Sequence, residues 1–308
     1  MSKAGSITIA IRVLDTGADG GLTTDDSNVY LACGDGKISL AGDWKYKTSV
    51  NLRDFPPRPV NMAYNPNLPT VLYNAMLKAI IPFAVQGAIW YQGESNADRA
   101  YQYRELLPLM ITDWRTRWGY TFPFYIVQIA NYMDRQTGPE ASAWAELREA
   151  QSFTQRLEKT GLACIIDIGE ADDIHPKNKQ EVGRRLGLLA RALTYGEKVE
   201  YSGPQYLCNK IEGRTIRLRF SHTESGLKTA DGSTVKGFYI AGNDHLFHEA
   251  TARIEGNEIV VQAQEVDLPV AVRYAWANNP VCNVYNGAGL PMVPFRTDDW
   301  PGLTSQNQ

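Results

Sequence analysis

Two stretches of the sequence carry side chains whose types and spacing could do chemistry. In "IIDIGEADDIHPKNKQE" an apolar run ends in acids, and Asp172 precedes His175 by three residues, just ahead of a helix start. Within a loop, that spacing lets a carboxylate fold back onto an imidazole. The contact fixes the tautomer and favours the imidazolium formed when the other ring nitrogen takes a proton. This is an acid–base dyad without a nucleophile. A bland reading stands beside it, in which Asp172 and Asp173 are solvated loop acids and His175 packs or caps.

The second stretch is "GAIWYQGESNADRAY", where an apolar run breaks into polar residues as a strand does when it feeds a helix. Ser95 invites comparison with the Gly-x-Ser-x-Gly elbow of serine esterases, but the fifth position is Ala97, and Gly93 is the only glycine there to relieve a sharp turn. Asp98, three residues on, gives Ser95 the spacing of a helix-capping pair, a role that needs no reactivity. Gln92 is more suggestive. A side-chain amide at the end of a core strand can aim an N–H at a developing oxyanion, and such donors are worth about 2.7–4 kcal/mol; the same amide could equally satisfy loop backbone. His222, His245 and His248 offer no third ligand to go with the three-residue spacing in "NDHLFHEA", so a metal site is rejected and an exposed hairpin expected.

The elements that must position these groups fall into three segments. Residues 1–63 read as strands, with "SITIAIRVL", "NVYLACGDG" and "KISLAGDWKYK" separated by Gly-rich turns, and the Pro-rich "FPPRPVNMAYNPNLP" follows as a connector. Residues 64–200 alternate apolar strands ("VQGAIWY", "FPFYIVQIA", "GLACIID") with helices, the pattern of an α/β layer on a parallel sheet. One helix, from Asp98 to Trp118, aligns Tyr103, Leu107, Met110, Trp114 and Trp118 on one face, with a kink expected at Pro108. Another opens with Asn178 and Glu181 at capping-box spacing. Residues 201–308 return to alternating runs and predict an antiparallel sandwich. Both chemical stretches then lie at carboxyl ends of parallel strands, where open α/β sheets hold their ligand groups.

Composition narrows the function classes. A chain of 308 residues that is 44% hydrophobic can bury a substantial core. Its net charge of −3, without long like-charge blocks, leaves no electrostatic footprint for nucleic acid or an anionic membrane surface. No apolar run is long enough to span a bilayer, and the N-terminus lacks the core of a signal peptide. Cys33, Cys164, Cys208 and Cys282 are too scattered for a zinc site and read as buried free thiols.

Taken together, "WYQGESNA", "FPFYIVQIANY", "WAELREAQ", "IDIGEADDIHPKNKQEVGRRL" and "GLPMVPFRTDDW" closely resemble the sialate O-acetylesterase family, a branch of the SGNH (GDSL-like) hydrolases, from about Asp43 onward. The resemblance implies an SGNH-hydrolase-like parallel sheet with flanking helices and a β-rich C-terminus. It also implies hydrolysis of acetyl esters on sugars, including sialic acids, by a Ser-His-Asp mechanism without cofactor or metal. Asp172 and His175 are carried over as acid and base, Gln92, Gly93 and Glu94 as active-site lining, and the oxyanion role is extended to Gln92. One departure matters: the family's nucleophile lies in a Gly-Gln-Ser-Asn motif, and this chain has no Gly-Gln-Ser. The N-terminal β segment resembles part of a β domain inserted in the family's α/β domain. The α/β domain is therefore expected to be incomplete, with a missing N-terminal segment as partner. The alternatives are a non-catalytic carbohydrate-binding or scaffold chain, and Ser95 as a substitute nucleophile. The resemblance further suggests a periplasmic or secreted location.

Overall fold

A computed structural model of the chain describes residues 7–13, 24–51, 54, 65–136, 138 and 141–307. Contacts divide the chain into two compact units, residues 1–68 and 69–308. In the first unit, β1 (Tyr30–Cys33) and β2 (Gly36–Ser39) form an antiparallel hairpin closed at Cys33↔Gly36, with Gly34 at φ +59° in the turn. Every described residue of this unit is exposed or half-buried. Residues 7–13, expected as a strand, have no ladder partner among the described residues and are irregular, with Ile7, Ile11 and Val13 exposed; an alternating pattern makes a strand only where a neighbour accepts its hydrogen bonds. Most of the expected Pro-rich connector falls outside the described residues.

The second unit opens with a π-helical turn, Tyr73–Leu77, running into α1 (Lys78–Ile80). There follow β3 (Ala88–Trp90), α2 (Ala100–Trp118), β4 (Phe124–Val127), α3 (Ala143–Phe153), β5 (Thr160–Ala163) and α4 (Lys179–Leu189). The sheet order is β3-β4-β5, all parallel, as the alternation of strands and helices predicts. Tyr103 and Leu107 of α2 are buried and Met110, Trp114 and Trp118 pack beside them, so the predicted face is the one that meets the sheet. Beneath it lie Trp90, Phe122 and Phe124 in edge and tilted ring contacts with Trp114 and Trp118. Helix α2 continues through Pro108, whose carbonyl accepts from the Thr112 hydroxyl. The strand at "VQGAIWY", expected in the core, is corrected: among the described residues β3 lies at the edge of the sheet, and Ile89 is 68% exposed.

After α4 and a π-helical turn, Ala190–Thr194, the regular elements are all strands: β6 (Gln205–Glu212), β7 (Thr215–Ser221), β8 (Leu227–Thr229), β9 (Phe238–Ala241), β10 (Phe247–Glu249), β11 (Thr251–Glu255), β12 (Glu258–Gln262), β13 (Ala271–Tyr274), β14 (Val284–Asn286) and β15 (Phe295–Arg296). Two four-stranded antiparallel sheets, β11-β12-β7-β6 and β10-β9-β13-β15, share one core in which Ile216, Leu218 and Val261 of the first meet Phe238, Ile240 and Tyr274 of the second. A short β14-β8 ladder lies beside them. Arg148 of α3 joins these sheets to the α/β layer. It is fully buried and has no carboxylate partner among the described residues. Its Nε donates to Ile129 O (3.0 Å), Nη2 to Ala130 O and Asn278 O (2.8 Å each), and Nη1 to Ala277 O (2.7 Å). Burial pulls its pKa down to about 9.

Candidate active site

Because the three strands are parallel, the chain segments that leave β3, β4 and β5 emerge at one end of the sheet. Behind β3 stand Gln92, Gly93 and Glu94. The Gln92 amide is fixed at both ends: Oε1 accepts from the Tyr103 hydroxyl (2.8 Å), and Nε2 donates to Asn96 Oδ1 (2.8 Å). One N–H of that amide has no partner among the described residues. Gln151 of α3 ties the tips of two strands together, with Nε2 donating to Gln92 O (3.1 Å) and Oε1 accepting from Ile129 N (2.9 Å).

Gly93 is buried at φ +147°, and a Cβ there would lie 3.1 Å from Gln151 Nε2 and 3.3 Å from Leu147 Cδ2. Glycine is thus required by backbone and packing alike. Glu94 begins a 3-10 turn, Glu94–Arg99, and is half-buried. Its charge adds to burial in raising the pKa of Tyr91, to about 12, and of Tyr103.

Ser95 lies inside that 3-10 turn, exposed, and makes no side-chain cap; α2 starts only at Ala100, with Arg99 as its uncapped N-cap. The capping reading of Ser95 is therefore corrected. The turn that intervenes moves the helix start past the reach of the serine. At α4 the cap is real: Asn178 Oδ1 accepts from Glu181 N (3.2 Å). Only half of a capping box forms, since the Glu181 carboxylate turns away to Arg184 and Arg185 (2.7 Å each).

Behind β5 the loop from Asp167 to Asn178 carries the acids and His175. Its root is heavily tied. Asp167 takes a two-pronged pair from Arg185 (2.6 and 2.8 Å) and a hydrogen bond from the Tyr285 hydroxyl (3.0 Å). Gly169 N donates to Asn131 Oδ1 (2.7 Å), and a Cβ at Gly169 would collide with the Asn131 backbone. Glu170 and Lys177 close the loop across its neck (2.7 Å), an exposed pair in which the ammonium lowers the carboxyl pKa.

The tip itself is open. The His175 side chain is 86% exposed; its backbone N–H donates to Asp173 Oδ1 (2.8 Å), and its Nδ1 lies 3.8 Å from that same oxygen. Asp172 is exposed and makes no hydrogen bond to the described residues, so in this conformation Asp173 is the acid next to His175. One residue beyond the tip, Lys179, reaches the segment behind β3. Ile174 packs on the core cluster of the α/β layer, and the Lys179 ammonium stands 4.7 Å over the Tyr91 ring. A cavity of about 460 Å³ lined by Thr112, Arg115, Tyr120 and Glu158 lies instead at the amino ends of β4 and β5.

The tighter imidazole–carboxylate pair is elsewhere. His222 Nδ1 lies 2.8 Å from Glu200 Oε1, with side chains 17% and 20% exposed, and the ring sits edge-on to Tyr201. His245, by contrast, is stacked on Trp300 at 3.7 Å. Sequence reasoning also missed Tyr103, Asn96 and Gln151 as the holders of Gln92, because partners up to 59 residues away leave no local spacing to read. The expectation of buried free thiols holds for Cys164; Cys282 is half-buried, while Cys33 and Cys208 are free but exposed.

Comparison with known proteins bears directly on this arrangement. A family profile described as "Carbohydrate esterase, sialic acid-specific acetylesterase" matches residues 60–192, which contain all of the strand ends just described. Over these residues the chain resembles the sialic acid-specific acetylesterases. Relatives named sialate O-acetylesterase include those of Mus musculus, 30% identical over 259 residues (75% of this chain, 47% of the relative), and Homo sapiens, 29% identical over 280 residues (80% and 53%). The relative from Pongo abelii is 33% identical over 282 residues (80% and 53%). Among solved structures, a carbohydrate acetylesterase of Xanthomonas citri superposes with a TM-score of 0.72 at 48% identity, covering 76% of this chain and 55% of that one. The chain thus spans about half the length of the relatives it matches.

Proposed function

We propose that this chain supplies the acid–base part of a carbohydrate O-acetylesterase acting on acetylated sugars such as sialic acid. The single observation that supports the reading most strongly is the shared sheet end: Gln92, with its amide braced and one N–H without a partner among the described residues, and the His175 loop both leave the carboxyl ends of parallel strands. In the proposed reaction His175 takes the proton of a serine hydroxyl as that oxygen attacks the acetyl carbonyl. Gln92 and backbone amides receive the oxyanion. The imidazolium then returns its proton to the departing sugar oxygen, and water, deprotonated by the same imidazole, releases acetate from the acyl-serine.

Asp172 is assigned to orient the imidazole; Asp173, engaged by the His175 backbone, shapes the turn. The serine is assigned to a segment that pairs beside β3, whose outer edge has no strand among the described residues.

The test is to supply this chain with a polypeptide spanning the rest of a family member and to assay release of acetate from O-acetylated sialic acid. His175→Ala should lower turnover by on the order of 10³-fold or more, and Asp172→Asn by a comparable factor. Unchanged turnover in folded His175→Ala would overturn the assignment. A second reading, a non-catalytic carbohydrate-binding chain, is favoured by the solvent-exposed His175 imidazole, whose ring has no hydrogen bond among the described residues. Calorimetric binding of both acetylated and free sialic acid without hydrolysis in the supplemented protein would support it.

A further inference from the structure

The bonds that hold the His175 loop at its root converge on one carboxylate. Asp167 stands four residues after the end of β5, and two elements reach it. Arg185 comes from α4 and is 4% exposed; its Nη1 also donates to Cys164 O (2.6 Å) and its Nε to Glu181 Oε1 (2.7 Å). Tyr285 comes from β14 in the C-terminal sheets. A planar guanidinium fork on a carboxylate fixes orientation as well as distance, because two parallel N–H donors admit one relative pose.

From Asp167 the chain passes through Gly169, pressed on Asn131, and Ala171, whose carbonyl accepts from Met133 N (3.0 Å). Past Ala171 the loop is held by the Asp173 turn, the packing of Ile174, the burial of Pro176 and the Glu170–Lys177 neck. The direction in which His175 projects is therefore inherited from the root.

We propose that Asp167, gripped by Arg185 and Tyr285, is the positioning residue for His175, so that the C-terminal sheets set the geometry of the acid–base loop through the Tyr285 hydroxyl. The proposal rests on the esterase reading for its catalytic meaning, but not for its geometry. Burial works against the charge of Arg185 and is outweighed by Asp167 and Glu181, which hold the guanidinium above its ordinary range. The buried fork therefore stays ionised.

The deciding measurement is the imidazole NMR spectrum of this chain, which has four histidines. Asp167→Asn removes the charge and one of the two acceptors, and Tyr285→Phe removes one donor with little change in packing. Both should shift or broaden the His175 ring signals while those of His245 and His248 stay in place. Arg185→Lys, which loses the fork but keeps the charge, should do the same. Should Asp167→Asn fail to fold, Tyr285→Phe alone decides.

Unmoved His175 signals in folded Tyr285→Phe and Arg185→Lys would overturn the proposal. In the supplemented esterase assay the same variants should lower kcat by roughly tenfold with KM nearly unchanged, a split that general destabilisation would not produce. Full activity of His175→Ala would sink the esterase reading and leave the spectroscopic result standing.

Discussion

The two flanks of the parallel sheet are finished differently. On the β5 side, Gly161, Leu162 and Ala163 are buried, α4 and Tyr201 cover one face, and Arg148 fastens the end of β4 to the C-terminal sheets. On the β3 side, Ile89 is exposed in the strand itself, and Leu72, Met76, Ile80 and Phe83, all from the segment leading into it, are exposed as well. Parallel sheets are ordinarily covered on both faces, because crossover helices lie on both. The difference teaches that the described residues build one finished flank, with the candidate site at the sheet end that both flanks share.

The sharpest way to break this contrast is Arg148→Met. Four backbone carbonyls would lose a charged donor, each such bond being worth about 1.5–3 kcal/mol. The finished flank should then lose cooperative folding, seen as a thermal melt without a transition; a variant melting near the parent would show that the flank is held by other contacts.

Gly93→Ala tests the tip of the open flank, which is closed by α3 even though the strand is not. Its positive φ and two close neighbours predict a loss of about 1–3 kcal/mol and a melting temperature several degrees lower.

Acid should act mainly on the finished side. Hydrogen bonding from Arg184, then from Arg185 against the cost of burial, holds the Glu181 carboxyl down at about 2 from 4.5. The unfolded chain takes up that proton at the higher pH, so this contribution to stability is complete above about pH 4.5 and lost as pH falls toward 2. Glu181→Gln should flatten the stability curve across that window in denaturant titrations.

Ile89→Thr should be the mildest change, within about 0.5 kcal/mol of the parent. It should also reduce any concentration-dependent association in sedimentation, because an apolar parallel edge is a template for pairing. A core-sized loss of stability would mean that this flank is covered after all.

Periodicity made the layer legible: the apolar face of α2, the order of strands and helices, and the antiparallel C-terminus follow from patterns that span only a few residues. The Asn178 cap was legible for the same reason. The N-terminal "SITIAIRVL" misled because alternation does not make a strand without a partner.

Ser95 misled because a 3-10 turn displaced the helix start, which no spacing rule foresees. Of the candidate site, Gln92 and the His175 loop could be found from chain position, whereas the Asp167–Arg185–Tyr285 grip could not, since it joins residues 18 and 118 apart. Arg148 was equally hidden, as all of its acceptors are backbone oxygens.

One thiol gives the molecule a built-in gauge. Burial pushes Cys164 up to about 12, so in the folded chain its sulfur is almost entirely protonated and shut away from reagents, while Cys33 and Cys208 face solvent. Alkylation followed by mass spectrometry would therefore tag the outer sulfurs quickly and Cys164 only when β5 comes loose, so that the lag of this one label records how often the finished flank opens.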